Sequence, residues 1–283
     1  MANLLKAVLL IFVMSIASGA GAEPSDYELR LKALEEKMEA GSKTREWLDK
    51  FSFKNDLRLR HESRFLDKDA AGNNVLDQHR QRFRLRLGGE YNFDSNLKVG
   101  LRLATGSTDP ISTNQTMADA FGKKAINVDW AYAHYARSFG ALKTWFTGGK
   151  FDEPFFRASQ LLWDYDLTAE GLTESFAFPL RSSTTLFATF GQFAVDESAA
   201  QQYDPYLIGY QGGVEQTLGP LGKVKAAAAY YDYANVKGKV IPHRKSTNTL
   251  SGGGLANDFD IISAAATWTV DMGVPFTVLG EYA

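Results

Sequence analysis

The sequence predicts an all-β protein: a transmembrane antiparallel β-barrel of about eleven visible strands, preceded by a short helix. Three observations predict it. The chain opens on an export signal yet contains no cysteine. From Phe51 onward, apolar and polar residues alternate with a period of two, and the links between the alternating stretches are short and long by turns.

The first element is the leader, MANLLKAVLLIFVMSIASGAGAEPSD. Lys6 supplies a basic start, Ala7 to Ile16 is an apolar run broken only by Ser15, and Ala20-Gly21-Ala22 is the small-x-small pattern cleaved before Glu23. Residues 1–22 therefore read as a secretory signal. Their apolar core is shorter than the roughly 20 residues that span a bilayer. Without them the chain carries 30 basic and 33 acidic side chains against 31 and 33 in the whole, a net charge of −3. That balance lacks the basic footprint of a nucleic-acid binder. An exported chain of 283 residues with no cysteine relies on neither disulfides nor thiolate metal sites. Aromatic residues make up 13% of it, a composition shared by outer-membrane barrels and some periplasmic binding domains.

Residues 23–50 read as a separate periplasmic unit. Tyr27, Leu31, Leu34 and Met38 follow a 4-3-4 spacing with charges between them, the seam of an amphipathic or coiled-coil helix that wants partners. Gly41 and Ser42 are expected to end it. From Phe51 to Ala283 the pattern is β. In FSFKNDLRLRHESRF the odd positions Phe51, Phe53, Leu57, Leu59 and Phe65 are apolar, and Lys54, Arg58, Arg60, Glu62 and Arg64 occupy even ones. In RQRFRLRL, Arg80, Arg82, Arg84 and Arg86 fall on one strand face and Phe83, Leu85 and Leu87 on the other. A helix would smear the arginines around its circumference. After the tight turn YNFDSN, LKVGLRLATG repeats the rule, with Leu97, Val99, Leu101 and Leu103 alternating with Lys98, Gly100, Arg102 and Ala104.

The alternation continues more loosely through INVDWAYAHYARSF, LKTWFTGGKF, LLWDYDLTAEGLTESFAF, TTLFATFGQF, YLIGYQGGVEQTL, GKVKAAAAYYDY, FDIISAAATWTV and PFTVLGEYA. Compact turns such as FDSN, FGA and LGPLG interleave with polar segments such as 107–124 and 235–257. Short turns on one rim and long loops on the other are how an outer-membrane barrel is organised. Aromatics near strand ends, Tyr91 and Phe93 or Phe176 and Phe178 among them, suit rings at headgroup depth.

NDLRLRHESRF, RQRFRLRLGGEYNFDSNLKVGLRLATGS and LLWDYDLTAEGL, taken in order, resemble the putative porin family of Gram-negative bacteria. The block at Trp163, Asp164, Asp166, Glu170 and Gly171 is the most distinctive part of that match. The resemblance implies a channel in the outer membrane, passive diffusion of small hydrophilic solutes and ions, contact with lipid, and a homotrimer. Barrels of this kind normally close on an even strand number and a terminal aromatic, whereas this chain stops at GEYA, so a barrel incomplete at its C-terminus is expected.

On that reading the wet face of the arginine strands is the lumen. Arg58, Arg60, Arg64, Arg82, Arg84, Arg86, Lys98 and Arg102 form one basic wall, accompanied by Glu62 and Glu90. Turned outward, each arginine would cost ~2–4 kcal/mol at mid-bilayer. The same parity sends Asp164, Asp166 and Glu170 inward as an acidic strip and Trp163, Tyr165 and Leu167 toward lipid. Wall and strip either face each other across a constriction, setting up a transverse field, or pair directly; the sequence leaves both open. Excess basic charge suggests a mild anion preference.

No enzyme is expected. His61, His79, His134 and His243 lie far apart in sequence without metal-ligand spacing, and neither G-x-S-x-G nor H-E-x-x-H occurs. No cofactor, metal or nucleic-acid partner is expected. The rival from another class is an exported soluble β-sandwich that binds glycans through its aromatics.

Overall fold

The computed structural model describes residues 26–283 except 66–67, 69–72, 74–75, 198, 200–202 and 242–247. The expected export signal and His243 lie outside the described residues. The chain divides between Lys50 and Phe51 into a helical and a β unit.

The helical unit is α1 (Asp26–Asp49). It runs through Gly41 and Ser42, where the sequence predicts its end. A glycine inside a helix costs only about 1 kcal/mol relative to alanine. With no proline after it, the hydrogen-bond ladder carries on. The seam residues Tyr27, Leu31, Leu34 and Met38 are all exposed. No helix among the described residues is long and apolar enough to cross a membrane.

In the β unit, β1 (Phe51–Phe53) and β2 (Asp56–Arg64) pair in succession with one edge of β3 (Gln78–Asn92). On its other edge β3 pairs with β4 (Leu97–Thr105) and then with the short β5 (Gln115–Thr116). From β4 the sheet continues through β6 (Ile126–Phe139), β7 (Leu142–Asp152), β8 (Thr168–Arg181) and β9 (Thr184–Ala194). It proceeds through β10 (Tyr206–Thr217) and β11 (Lys223–Ala234). A small hairpin of β12 (Leu250–Ser251) and β13 (Gly254–Leu255) intervenes before β14 (Phe259–Asp271) and β15 (Pro275–Tyr282). Every pairing between these strands is antiparallel, and the main path holds eleven strands, as the alternation predicts. A sandwich would need a second large sheet; the described residues form one 13-stranded sheet and that hairpin.

One rim carries tight turns. At 93–96, for example, Asp94 Oδ1 accepts the N–H groups of Asn96 and Leu97 at 2.7 and 2.8 Å. The other rim carries the long links, among them 106–125 and 153–167. Segment 153–167 shows that the sheet curls. Ser159 bonds Glu281 on β15, and Asp166 bonds Arg86 on β3. Those strands lie nine inter-strand steps apart, which in a flat sheet would be about 43 Å. The seven Cα-to-Cα steps from Ser159 to Asp166 reach at most about 25 Å. The strands must therefore wrap around the segment, which lies on their concave face.

Phe155 seats the segment. It packs edge-on against Phe193 and Tyr231, with ring centroids 6.1 and 5.1 Å apart, in a buried cluster with Phe151, Leu207 and Ala229. Gly191 and Gly209 leave the room: a Cβ at Gly209 would stand 2.3 Å from the Phe155 ring. On the opposite face, cross-strand registers place Tyr135, Phe146, Phe190, Tyr210 and Tyr230 in one hydrogen-bonded row, interrupted at β8 by Glu174. Leu57, Leu59, Leu101 and Ile262 are also exposed on that side.

Candidate functional site

Antiparallel register decides which arginines meet. Arg58 stands opposite Arg84, Arg60 opposite Arg82, and Glu62 opposite Arg80. Alternation then puts all of them on the face that segments 107–117 and 153–167 cover. Like charges directly opposite are destabilising, so each guanidinium must find water, an anion or a carboxylate.

The wall solves this in two ways along its length. Arg84 and Arg86 are neutralised by carboxylates. Arg84 Nε donates to Asp56 Oδ1 at 3.0 Å, and Arg86 Nη2 donates to Asp166 Oδ1 at 2.5 Å. Arg84 also reaches Asp166 Oδ1 at 3.4 Å. Arg102 Nε donates to the buried Asp129 at 2.5 Å and lies over the Trp130 ring, 3.4 Å from its centroid. Asp152 holds the same pair, accepting from Trp130 Nε1 at 2.7 Å and pairing with Arg102 at 3.5 Å. Lys98 and Tyr132 both donate to Glu90 Oε1, at 2.8 and 2.5 Å.

A β-bulge makes the Asp129 contact. Register between β4 and β6 shifts where Arg102 faces Trp130 and Leu103 faces Val128, leaving Asp129 as the extra residue. Asp129 and Trp130 are consequently both buried, although strict alternation would put one of them outside.

The other end of the wall is crowded with cations. Glu62 alone is approached by Arg60, Arg64, Arg80 and Arg82, the Arg80 Nε bond measuring 2.7 Å. Arg58 Nη2 has the Asn114 side-chain oxygen at 2.5 Å, and Arg82 Nη2 has the Asn114 carbonyl at 3.1 Å. The Nε atoms of Arg58, Arg60 and Arg82 are buried without a hydrogen-bond partner among the described residues, as is that of Arg86, which lies 3.7 Å from Asp129. A cavity of about 760 Å³ opens over these side chains, bounded by Ser112 and Asn114 on one segment and by Asp164 and Asp166 on the other.

The acidic strip differs from its sequence prediction. Strand β8 starts at Thr168, so 161–167 is part of the infolded segment and period two does not run through it. Trp163, predicted toward lipid, packs on Tyr231 of the inner cluster at 5.5 Å. Tyr165 stacks under Arg157, and Leu167 belongs to the same segment. Of the three acids Asp166 alone contacts arginines of the wall directly among the described residues. Burial would raise its carboxyl, but the Thr113 N–H and the Arg86 and Arg84 guanidinium groups outweigh this and hold it below the usual range. Asp164 Oδ1 accepts the Asp166 N–H at 2.7 Å. Glu170 leaves the strip: it pairs with Lys150 at 2.9 Å and with none of the arginines.

Deeper in the segment lies Glu153. Burial pushes its carboxyl up to about 7, against the pull of the Phe155 N–H and of Arg157, with the nearby Glu281 adding to the rise. Alternation alone could have found Asp56, which shares the parity of Arg58; it could not have found Asp129, Asp152 or Glu153.

His61 and His79, distant in sequence, are stacked with centroids 6.5 Å apart, both against the Ser63 hydroxyl at 3.0 Å. His134 bonds Thr147 at 2.8 Å. Among the described residues no group of three or more His, Cys, Asp or Glu could hold a metal.

Residues 70–253 match the family model described as putative porin. Solved structures of two engineered variants of the Rhodopseudomonas blastica porin align with 82% of this chain and with 94% and 93% of theirs. Their sequence identities are 11% and 12%, and their TM-scores 0.29 and 0.27. No curated protein matches the chain.

Proposed function

The chain belongs to the putative porin family, and from that premise we propose that it is an outer-membrane channel through which small hydrophilic solutes and ions diffuse passively. The observation that carries this reading is the two-sidedness of β2, β3 and β4. Arginines line the face covered by the infolded segments, and leucines are exposed on the other. Lipid and water are the two solvents that such a wall would separate.

In this channel Arg58, Arg60, Arg64, Arg82, Arg84, Arg86, Lys98 and Arg102 line the lumen beside Glu62 and Glu90. Asp164 and Asp166 approach the arginines from segment 153–167, which narrows the passage. The unneutralised arginines favour anions mildly. The protein is not an enzyme and carries no cofactor. It is exported through residues 1–22, and the seam of α1 joins protomers into a trimer on the periplasmic side. Two experiments test the reading. The full-length protein should require detergent for extraction, and in planar bilayers it should give stepwise conductance. Recovery in the soluble fraction would favour the glycan-binding alternative and end the channel reading.

A further inference from the structure

The two ends of the arginine wall differ in charge balance. Arg84, Arg86 and Arg102 have Asp56, Asp129, Asp152 and Asp166 around them. At the other end Arg60, Arg64, Arg80 and Arg82 share the single carboxylate of Glu62 in ion pairs among the described residues, and Arg58 does not reach it. Asp109 and Asp164 border the same cavity, but their Oδ1 atoms accept backbone N–H groups of Ile111 and Asp166. Counting both still leaves a surplus of positive charge among the described residues.

Geometry narrows the occupant. Cross-strand neighbours on one face sit about 5 Å apart and next-but-one residues on a strand about 7 Å. The backbone positions of Arg58, Arg60, Arg82 and Arg84 therefore form a near-rectangle, and all four side chains line the cavity. Three of its Nε–H donors, at Arg58, Arg60 and Arg82, are buried without a partner among the described residues, and a buried donor without a partner costs about 1–3 kcal/mol. A planar monocarboxylate presents two oxygens on one side and cannot reach all of these donors. A tetrahedral oxyanion presents oxygens in several directions, and guanidinium forks match it.

We propose that this cavity is a binding subsite for phosphoryl oxyanions, inorganic phosphate or the phosphate of a small phosphorylated solute, held by Arg58, Arg60 and Arg82. Bound there, the anion takes donors that Glu62 cannot satisfy and offsets the like-charge pair Arg60–Arg82. The inference deepens the channel reading and rests on it for passage, but binding itself can be read without conduction.

The test uses the full-length protein in two formats. In planar bilayers at low salt, added inorganic phosphate should reduce the chloride current saturably. Half-reduction should come at a concentration roughly tenfold lower than for acetate or succinate at matched ionic strength. Calorimetry on detergent-extracted protein should show phosphate binding in the same range. Replacing Arg60 and Arg82 with glutamine should weaken binding, whereas Glu62→Gln, which removes the competing carboxylate, should tighten it. A purely structural cluster would lose whatever binding it has in both variants. A conducting channel that treats phosphate like acetate and succinate overturns the subsite and leaves the channel reading standing. Phosphate binding without conductance supports the subsite and removes the channel; absence of both overturns both.

Discussion

Ser159 donates both its backbone N–H and its hydroxyl to one oxygen of Glu281, at 2.6 and 2.7 Å. Glu281 stands on β15, so this contact ties the middle of segment 153–167 to the last strand of the sheet. Gln211 on β10 adds a second tie, donating to the Phe156 carbonyl at 2.8 Å and accepting the Phe156 N–H at 2.7 Å. With Asp166 held by Arg86, the segment is fastened at three places around the concave face.

Loss of these ties should widen the passage. Glu281→Ala removes a charged acceptor of two hydrogen bonds, each worth about 1.5–3 kcal/mol. Gly209→Val would drive a side chain into the Phe155 ring. Both variants should raise single-channel conductance and speed proteolytic cleavage within 153–167. Unchanged conductance and cleavage in both would show that the segment does not constrict the channel.

Seating of the segment should depend on pH through Glu153. Docked, its carboxyl titrates near 7, above the ordinary 4.5, because of burial. Between those values the docked form holds a proton that the undocked form releases, so docking weakens as pH rises, by roughly 3 kcal/mol in full. Arg157 favours the ionised form; Glu281, Tyr231 and Tyr233 face the group and do not. Channel noise and protease sensitivity should therefore increase from pH 5 to pH 8, and Glu153→Gln should flatten both profiles. A profile that survives the substitution would place the titrating group elsewhere.

Asp129→Asn should be the costliest single change in the wall. Arg102 and Asp129 are both buried, and removal of the closer carboxylate leaves Arg102 only the 3.5 Å contact with Asp152, at a cost of up to about 3 kcal/mol. Urea unfolding of the extracted protein should show a midpoint lowered accordingly, whereas Glu170→Gln, on an exposed pair, should leave it within about 0.5 kcal/mol of the parent.

Ion selectivity should follow the arginines that share the one carboxylate of Glu62 and not the whole row. Glutamine at Arg60 and Arg82 should move the reversal potential toward cation preference under a salt gradient. The double change at Arg84 and Arg86 should move it less, because Asp56 and Asp166 already neutralise those groups. The difference should fade at high salt, as the screening length falls from ~8 Å at physiological strength to ~3 Å at 1 M. Equal shifts from both pairs would mean that the carboxylates do not compensate them.

Much of this was legible in the sequence because alternation is a local property of a strand. Two residues on, a side chain returns to the same face whatever the rest of the chain does. That is why Arg58, Arg60, Arg82, Arg84 and Arg86 share a face, why Leu57 and Leu101 are exposed opposite them, and why the strand count and the short turns could be read directly. Tertiary structure decided whatever depends on distant parts meeting. The bulge that buries Asp129 beside Trp130 exists only as a register shift between β4 and β6. The block at 161–167 alternates like a strand, but Phe155 and Trp163 gain more by filling the hollow over Gly209 and Tyr231 than by joining the sheet edge. The neutralisation of Arg86 rests on Asp166, 80 residues away. Such contacts leave no periodic trace, since their free energy comes from burial and charge pairing that appear only once the sheet has curled.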